Sequence, residues 1–312
     1  MIGLEQFTTP VVATIAGVFG LLVIAMIATR IIGPSPARRE LRDRVRSWWV
    51  MVTMIVFALA LGRIAMVIFF ALVSYLALKE YFTIAATRRA DRVVLFFAYL
   101  AVPVQYTFVG MPWYGMFLIF IPVYMFLFLP SAMVIRGETE GFLKAAGTVH
   151  WGLMTTVFAV SHAAYLLADP PVLNPTVASG AGLLILLLLL TELNDVAQYV
   201  AGKLLGRTRI TPTVSPKKTL EGLIGGIAVT LATSLLLAPV LTPLRLEHAA
   251  FIGLMLPIAG FLGDLTMSAM KRDLGIKDAG TLIPGHGGVL DRIDSLTFTA
   301  PLFFHFVRYF YG

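Results

Sequence analysis

The chain has 312 residues, of which 58% are hydrophobic and 13% charged; it carries a formal charge of +7, no cysteine, and a mean hydropathy of +0.87. Such a composition excludes an ordinary soluble domain, and the lack of cysteine excludes disulfides, thiolate zinc sites and a cysteine nucleophile. The positive balance reads as membrane loop bias rather than as a nucleic-acid footprint.

Apolar runs near the ~20 residues needed to cross a ~30 Å hydrocarbon core recur along the whole chain, without the short alternating segments of a transmembrane β-barrel. The fold class expected is therefore all-α, a polytopic integral membrane protein of ten transmembrane helices. The spans fall near 10–32, 48–62, 64–82, 93–111, 113–130, 148–167, 178–199, 220–240, 249–270 and 294–311. The count drops to nine if 48–62 and 64–82 form one bent or re-entrant unit around Gly62 and Arg63.

The first span has no basic stretch before it and Arg38, Arg39, Arg42, Arg44 and Arg46 after it. That is the reverse of a cleaved signal peptide, so it reads as an uncleaved anchor with the amino terminus outside. Alternation then puts the loops 33–47, 83–92, 131–147, 200–219 and 271–293 in the cytoplasm and leaves 21 of the 24 Lys and Arg on the cytoplasmic side, span ends included. Only Arg63, Arg245 and Arg308 lie on the far side, and the opposite orientation reverses that ratio. The expected location is a bacterial inner membrane with the working face toward the cytoplasm. Residues 1–147 read as packing and anchoring helices. Residues 148–312 read as the part carrying the chemistry, because polar groups concentrate after Glu192.

Three polar constellations gather at one membrane face. In TELNDVAQYVAGK, Glu192, Asp195 and Tyr199 follow i, i+3, i+7 on one helical face. Two carboxylates a turn apart beside hydrocarbon repel each other unless a cation or water-filled cavity is present; a cluster solvated by cytoplasm is the plainer reading. In VSPKKTLEG, Ser215 and Pro216 read as N-cap and first residue of the eighth span, with Lys217 and Lys218 in its first turn. Cations there oppose the helix dipole by about 0.3–1 kcal/mol each, yet suit a docked polyanion; simple positive-inside anchoring is the alternative. In GDLTMSAMKR, Asp264, Ser268 and Lys271 share one stripe at i, i+4, i+7.

The last stripe runs into the stretch Lys271–Asp294, which holds four cations (Lys271, Arg272, Lys277, Arg292), four acids (Asp273, Asp278, Asp291, Asp294) and five glycines. Both charge signs on a glycine-rich backbone suit a phosphate-and-metal site, although a solvated loop has a similar composition. His286 in PGHGG reads either as a turn hydrogen-bonder or as a site residue.

These residues resemble the phosphatidate cytidylyltransferases, or CDP-diacylglycerol synthases. The family signature is matched by Ser268, Lys271-Arg272, Lys277-Asp278, Gly280, Pro284, His286-Gly287-Gly288, Asp291-Arg292 and Asp294. Upstream agreement comes from Asp195, Tyr199, Gly202-Lys203, Ser215-Pro216-Lys217-Lys218-Thr219, Glu221-Gly222 and Gly263-Asp264-Leu265. Gln198, Leu220 and Asn194 depart from the usual residues, which suggests a side branch. The resemblance implies that CTP and phosphatidic acid react to give CDP-diacylglycerol and pyrophosphate, with Mg2+, and with a second cation and a homodimer both compatible. It implies that Asp264 and Asp291 hold the metal, assisted by Asp195. Lys217, Lys218, Lys277 and Arg292, with Ser215, Thr219, Asp278 and His286 nearby, are then expected to cradle CTP and the leaving pyrophosphate. Lys271 and Arg272, with Ser268, are expected at the lipid headgroup. Two alternatives remain at this stage: a CTP-dependent polyprenol or lipid-alcohol kinase, and an ion-coupled transporter using Glu192, Asp195 and Asp264.

Overall fold

The computed structural model describes residues 6–31, 36–85, 91–137, 139–169, 180–285 and 287–312. Among the described residues, ten helices follow the apolar segments in order. They are α1 (Thr9–Ile31), α2 (Pro36–Ala60), α3 (Arg63–Ile84), α4 (Arg92–Gly110), α5 (Tyr114–Ile135), α6 (Phe142–Ala168), α7 (Gly180–Leu205), α8 (Leu220–Leu241), α9 (Leu246–Asp273) and α10 (Leu296–Tyr311). Eight are long and apolar enough to cross a membrane; α2 has a charged first half and α10 has 16 residues. Among the described residues there is no strand, only two isolated bridges, Arg209 with Thr219 and Ile283 with Gly287. The chain is an all-helical polytopic membrane protein.

One boundary differs clearly from expectation. The basic stretch read as the loop 33–47 is helical from Pro36 onward, so α2 starts twelve residues before the expected span. After Pro36 it contains no glycine or proline, and its Arg, Glu and Leu are good helix formers. At the other end of α2, Gly62 with φ 98° separates it from α3. The Ser47 hydroxyl donates to the Pro284 carbonyl at 2.7 Å, whereas Arg63 donates to the Ala168 carbonyl at 3.1 Å at the opposite end of the bundle. Between those contacts α2 runs the length of the bundle by itself, and α3 returns.

That opposite end collects the three arginines expected on the far side. Arg308 pairs with Asp169 at 3.0 Å, and the Arg245 amide donates to the Tyr311 hydroxyl at 2.9 Å. Every other functional group discussed below lies at the first end, called here the site end.

Helices α7 to α10 form the frame of that end. Small residues let them approach closely: a Cβ on Gly225 or Gly226 of α8 would strike Ala201 or Gln198 of α7. Side-chain hydrogen bonds add register, since Thr191 of α7 donates to Thr299 of α10 at 2.9 Å. Ser234 of α8 likewise donates to the Ala249 carbonyl of α9 at 2.7 Å. Gly263 of α9 lies against the Asp294 carbonyl so closely that a side chain there would collide with it. This contact brings the start of α10 beside Asp264.

Candidate active site

The site is assembled from four helix ends and one loop. Asp195 projects from α7 and accepts a hydrogen bond from the Ser295 hydroxyl at the start of α10, 2.8 Å away. Asp264, near the site end of α9, accepts from Ser268 one turn later at 3.0 Å and pairs with Lys218 at 2.7 Å. The Lys218 ammonium also lies 4.5 Å from the centre of the Phe261 ring, which holds its stem against α9.

The expected N-cap at Ser215 is replaced by Thr219, whose hydroxyl accepts from the Gly222 amide at 3.1 Å. A short antiparallel pairing explains the shift. The Ile210 amide donates to the Lys218 carbonyl at 3.1 Å and the Leu220 amide to the Thr208 carbonyl at 2.8 Å, so Thr219 is extended and the helix begins only after it. Ser215 instead closes turns, its amide donating to Thr211 and its carbonyl accepting from Lys218. Lys217 and Lys218 therefore precede α8 instead of occupying its first turn. Glu221 is taken up by the Arg207 and Thr208 amides at 2.9 and 3.1 Å.

Lys271 pairs with Asp291 at 2.8 Å, and both side chains are almost buried. The second oxygen of Asp291 accepts from the Ala279 and Gly288 amides at 2.9 and 3.0 Å. One carboxylate thus ties together three points of the 271–294 segment. Two glycines are demanded here: Gly287 has φ 80° and would drive a side chain into Asp291, while one on Gly288 would strike Glu80. Arg272, expected at a lipid headgroup, donates to the carbonyls of Ile276 at 2.9 Å and Val214 at 3.3 Å and so joins two loops. Lys217, Lys277 and Asp278 are exposed. His286 lies outside the described residues.

Asp294 is the acid that the initial site assignment omitted. It is repelled by Asp264 and Asp195 and attracted by Arg292 and Lys271. Withdrawal from solvent, followed by repulsion from Asp264 and Asp195, pushes its pKa up to about 8. The spacing of the Asp-Arg-x-Asp sequence carried that signal. Glu80 of α3 was also missed; it accepts from the Leu290 amide at 2.8 Å and braces Gly280 and Gly288. An acid at the end of an otherwise apolar span was the available sign.

The donor set suits a divalent cation of the Mg2+ type. Three carboxylates, Asp195, Asp264 and Asp294, crowd one another, and Asp264 and Asp291 each have a lysine as counter-ion. Among the described residues no three acids or histidines form a ready-made cage. Mg2+ does not need one, since it typically takes one or two carboxylates and completes its shell with phosphate oxygens and water.

Known proteins share this arrangement of sequence. The chain is 44% identical over 299 residues to the uncharacterized protein YnbB of Escherichia coli K12, covering 95% of this chain and 98% of that one. It is 52% identical over 114 residues to a phosphatidate cytidylyltransferase of Synechocystis, covering 36% and 39% of the two chains. It is 28% identical over 262 residues to a phosphatidate cytidylyltransferase of Staphylococcus haemolyticus, covering 83% and 96%. The profile of the cytidylyltransferase family matches residues 42–310, which takes in α3 to α10 and most of α2. With nucleotidyl transfer the shared chemistry and ten helices framing the charged cluster, the chain is a membrane-embedded enzyme that belongs to the cytidylyltransferase family.

Proposed function

We propose that this enzyme transfers the cytidylyl group of CTP to phosphatidic acid, yielding CDP-diacylglycerol and pyrophosphate, on the cytoplasmic face of a bacterial inner membrane. The observation that carries this reading is the pair of lysine–carboxylate couples, Lys218–Asp264 and Lys271–Asp291, held at one end of the helix frame. Two anionic reactants need cations to approach each other, and two lysines already lie beside the acids that a metal ion needs. The names of the Synechocystis and Staphylococcus relatives support the lipid acceptor.

In the reaction, an oxygen of the phosphatidate phosphate attacks the α-phosphorus of CTP. The bond from that phosphorus to the oxygen bridging to the β-phosphorus breaks, and pyrophosphate leaves with the electron pair. The nucleophile is already anionic, so no general base is required; positioning and charge neutralisation supply the catalysis. Lys218, with the exposed Lys217 and Lys277, binds the triphosphate and the departing pyrophosphate. Asp264 and Asp291 would hold the metal, supported by Asp195 and Asp294. When bound, Mg2+ neutralises phosphate oxygens and polarises the α-phosphorus. Asp291 also keeps Ala279 and Gly288 in register, so its loss disturbs the loop as well as the charge.

Labelled CTP tests the reaction directly. Purified enzyme with phosphatidic acid and Mg2+ is expected to carry α-phosphate label into chloroform-soluble lipid and release γ-label as pyrophosphate. Label from the γ-position in lipid, with CDP released, identifies a kinase and overturns the proposal.

A further inference from the structure

A cavity of about 640 Å3 opens between α1, α2, α3 and α7, closed at the site end by the 282–296 segment. Its lining is apolar along most of its length, with Met51, Met54 and Ile55 from α2, Phe69 and Val73 from α3, and Leu188 from α7. Charged groups occur only where it meets the site end: Asp43 and Arg46 on α2, Glu192 on α7 and Arg292 in the loop. The nine steps from Ser47 to Val56 along the α2 wall correspond to about 13 Å of helix rise, a little under half of a ~30 Å hydrocarbon core.

We infer that this cavity receives an acyl chain of the lipid substrate, with the lipid phosphate held at Arg292 and Arg46. The inference rests on the lipid-acceptor reading above and deepens it by assigning the chain a site. Two observations favour an anionic lipid over other apolar occupants. The cavity joins a long apolar wall to a mouth bearing two arginines, which matches a molecule with a hydrocarbon tail and a phosphate head. Arg292 also belongs to both places: it lines the cavity, lies next to Asp291, and acts electrostatically on Asp195 and Asp294. Its buried Nε has no hydrogen-bond partner. A phosphate at this guanidinium therefore sits beside the acid cluster while its chain descends between α2 and α3. Glu192 and Asp43 share that mouth, and Arg292 attracts the Glu192 carboxyl. Chain recognition then falls to the N-terminal helices, and nucleotide chemistry to α7 to α10.

The cysteine-free chain makes the test clean, because a single introduced thiol is unique. Val73→Cys places it on the cavity wall, and Ile68→Cys places it on the same helix at a position 54% exposed and outside the lining. In detergent, dioleoyl phosphatidate at ten times its dissociation constant is expected to slow maleimide labelling at Val73→Cys about tenfold and leave Ile68→Cys unchanged. Dihexanoyl phosphatidate, with chains too short to descend, is expected to leave both labelling rates unchanged. Val73→Trp is expected to raise KM for dioleoyl phosphatidate while sparing KM for CTP and turnover of the dihexanoyl lipid. Unprotected Val73→Cys in a protein that still releases pyrophosphate from CTP and dioleoyl phosphatidate overturns the cavity assignment. Equal protection by dioleoylglycerol overturns the arginine anchor. Protection without pyrophosphate release from any phosphatidate leaves the cavity standing and removes the reaction reading instead.

Discussion

Asp294 shows how much one carboxylate can report. Its ordinary pKa of 3.8 is pushed up to about 8 by withdrawal from solvent and by Asp264 and Asp195. Between those values the folded protein keeps a proton that the unfolded chain has released. Stability of the cation-free protein is thus greatest below pH 4 as far as this group is concerned, and declines as pH rises toward 8. Asp294→Asn removes that slope. Melting temperatures measured in detergent and chelator from pH 5 to 8 are expected to favour the variant by a margin that grows with pH, while its turnover falls. A constant margin contradicts the assignment of this repulsion to Asp294. Asn194 and Gln198, two of the residues that depart from the family pattern, prove to be partners: the Gln198 amide donates to the Asn194 side chain at 2.9 Å, one turn apart on α7. They change together the surface that α7 presents to Gly226.

At the scale of elements, the start of α8 separates local signals from tertiary ones. Ser215-Pro216 is a sound start signal by local rules, yet a turn follows it, and the Arg209–Thr219 pairing holds Thr219 extended and hands it the cap. Thr219→Ala is expected to cost about 1 kcal/mol of stability, the usual cost of an N-cap, whereas Ser215→Ala is expected to cost a few tenths. Paired thermal melts decide between the two positions; a larger loss at Ser215 contradicts the cap described here. The same contrast runs through the rest of the chain. Helices α3 to α10 were legible because apolar runs of the right length leave few alternatives in lipid. The early start of α2 was hidden by its arginines, which read as a loop by charge and as a helix by propensity. The partner of Glu80 was illegible for a different reason: it is Leu290, 210 positions away, and no local pattern encodes that contact.

Over the whole molecule, the two ends have distinct chemistry. One end carries Arg63 and Arg308 on Ala168 and Asp169, contacts that hold helices together, and Arg245 on the neighbouring Glu247. The other carries the acids and lysines of α7, α9, the residues before α8 and the loop before α10, with Ser47 of α2 and Glu80 of α3 bracing that loop from the N-terminal side. The motif spacing marked the residues expected at the site. It did not show that Asp264 and Asp291 each rest on a lysine, because that requires α8, α9 and the loop to meet in space. The most direct test of a single shared pocket is CTP-dependent pyrophosphate release by Asp264→Asn and Asp291→Asn, with monodispersity in detergent and melting temperature as folding controls. A loss of at least about 100-fold in each, in protein that remains folded, is predicted from removing a charge that the transition state needs. Turnover within a few-fold of the unmodified enzyme in either folded variant contradicts it.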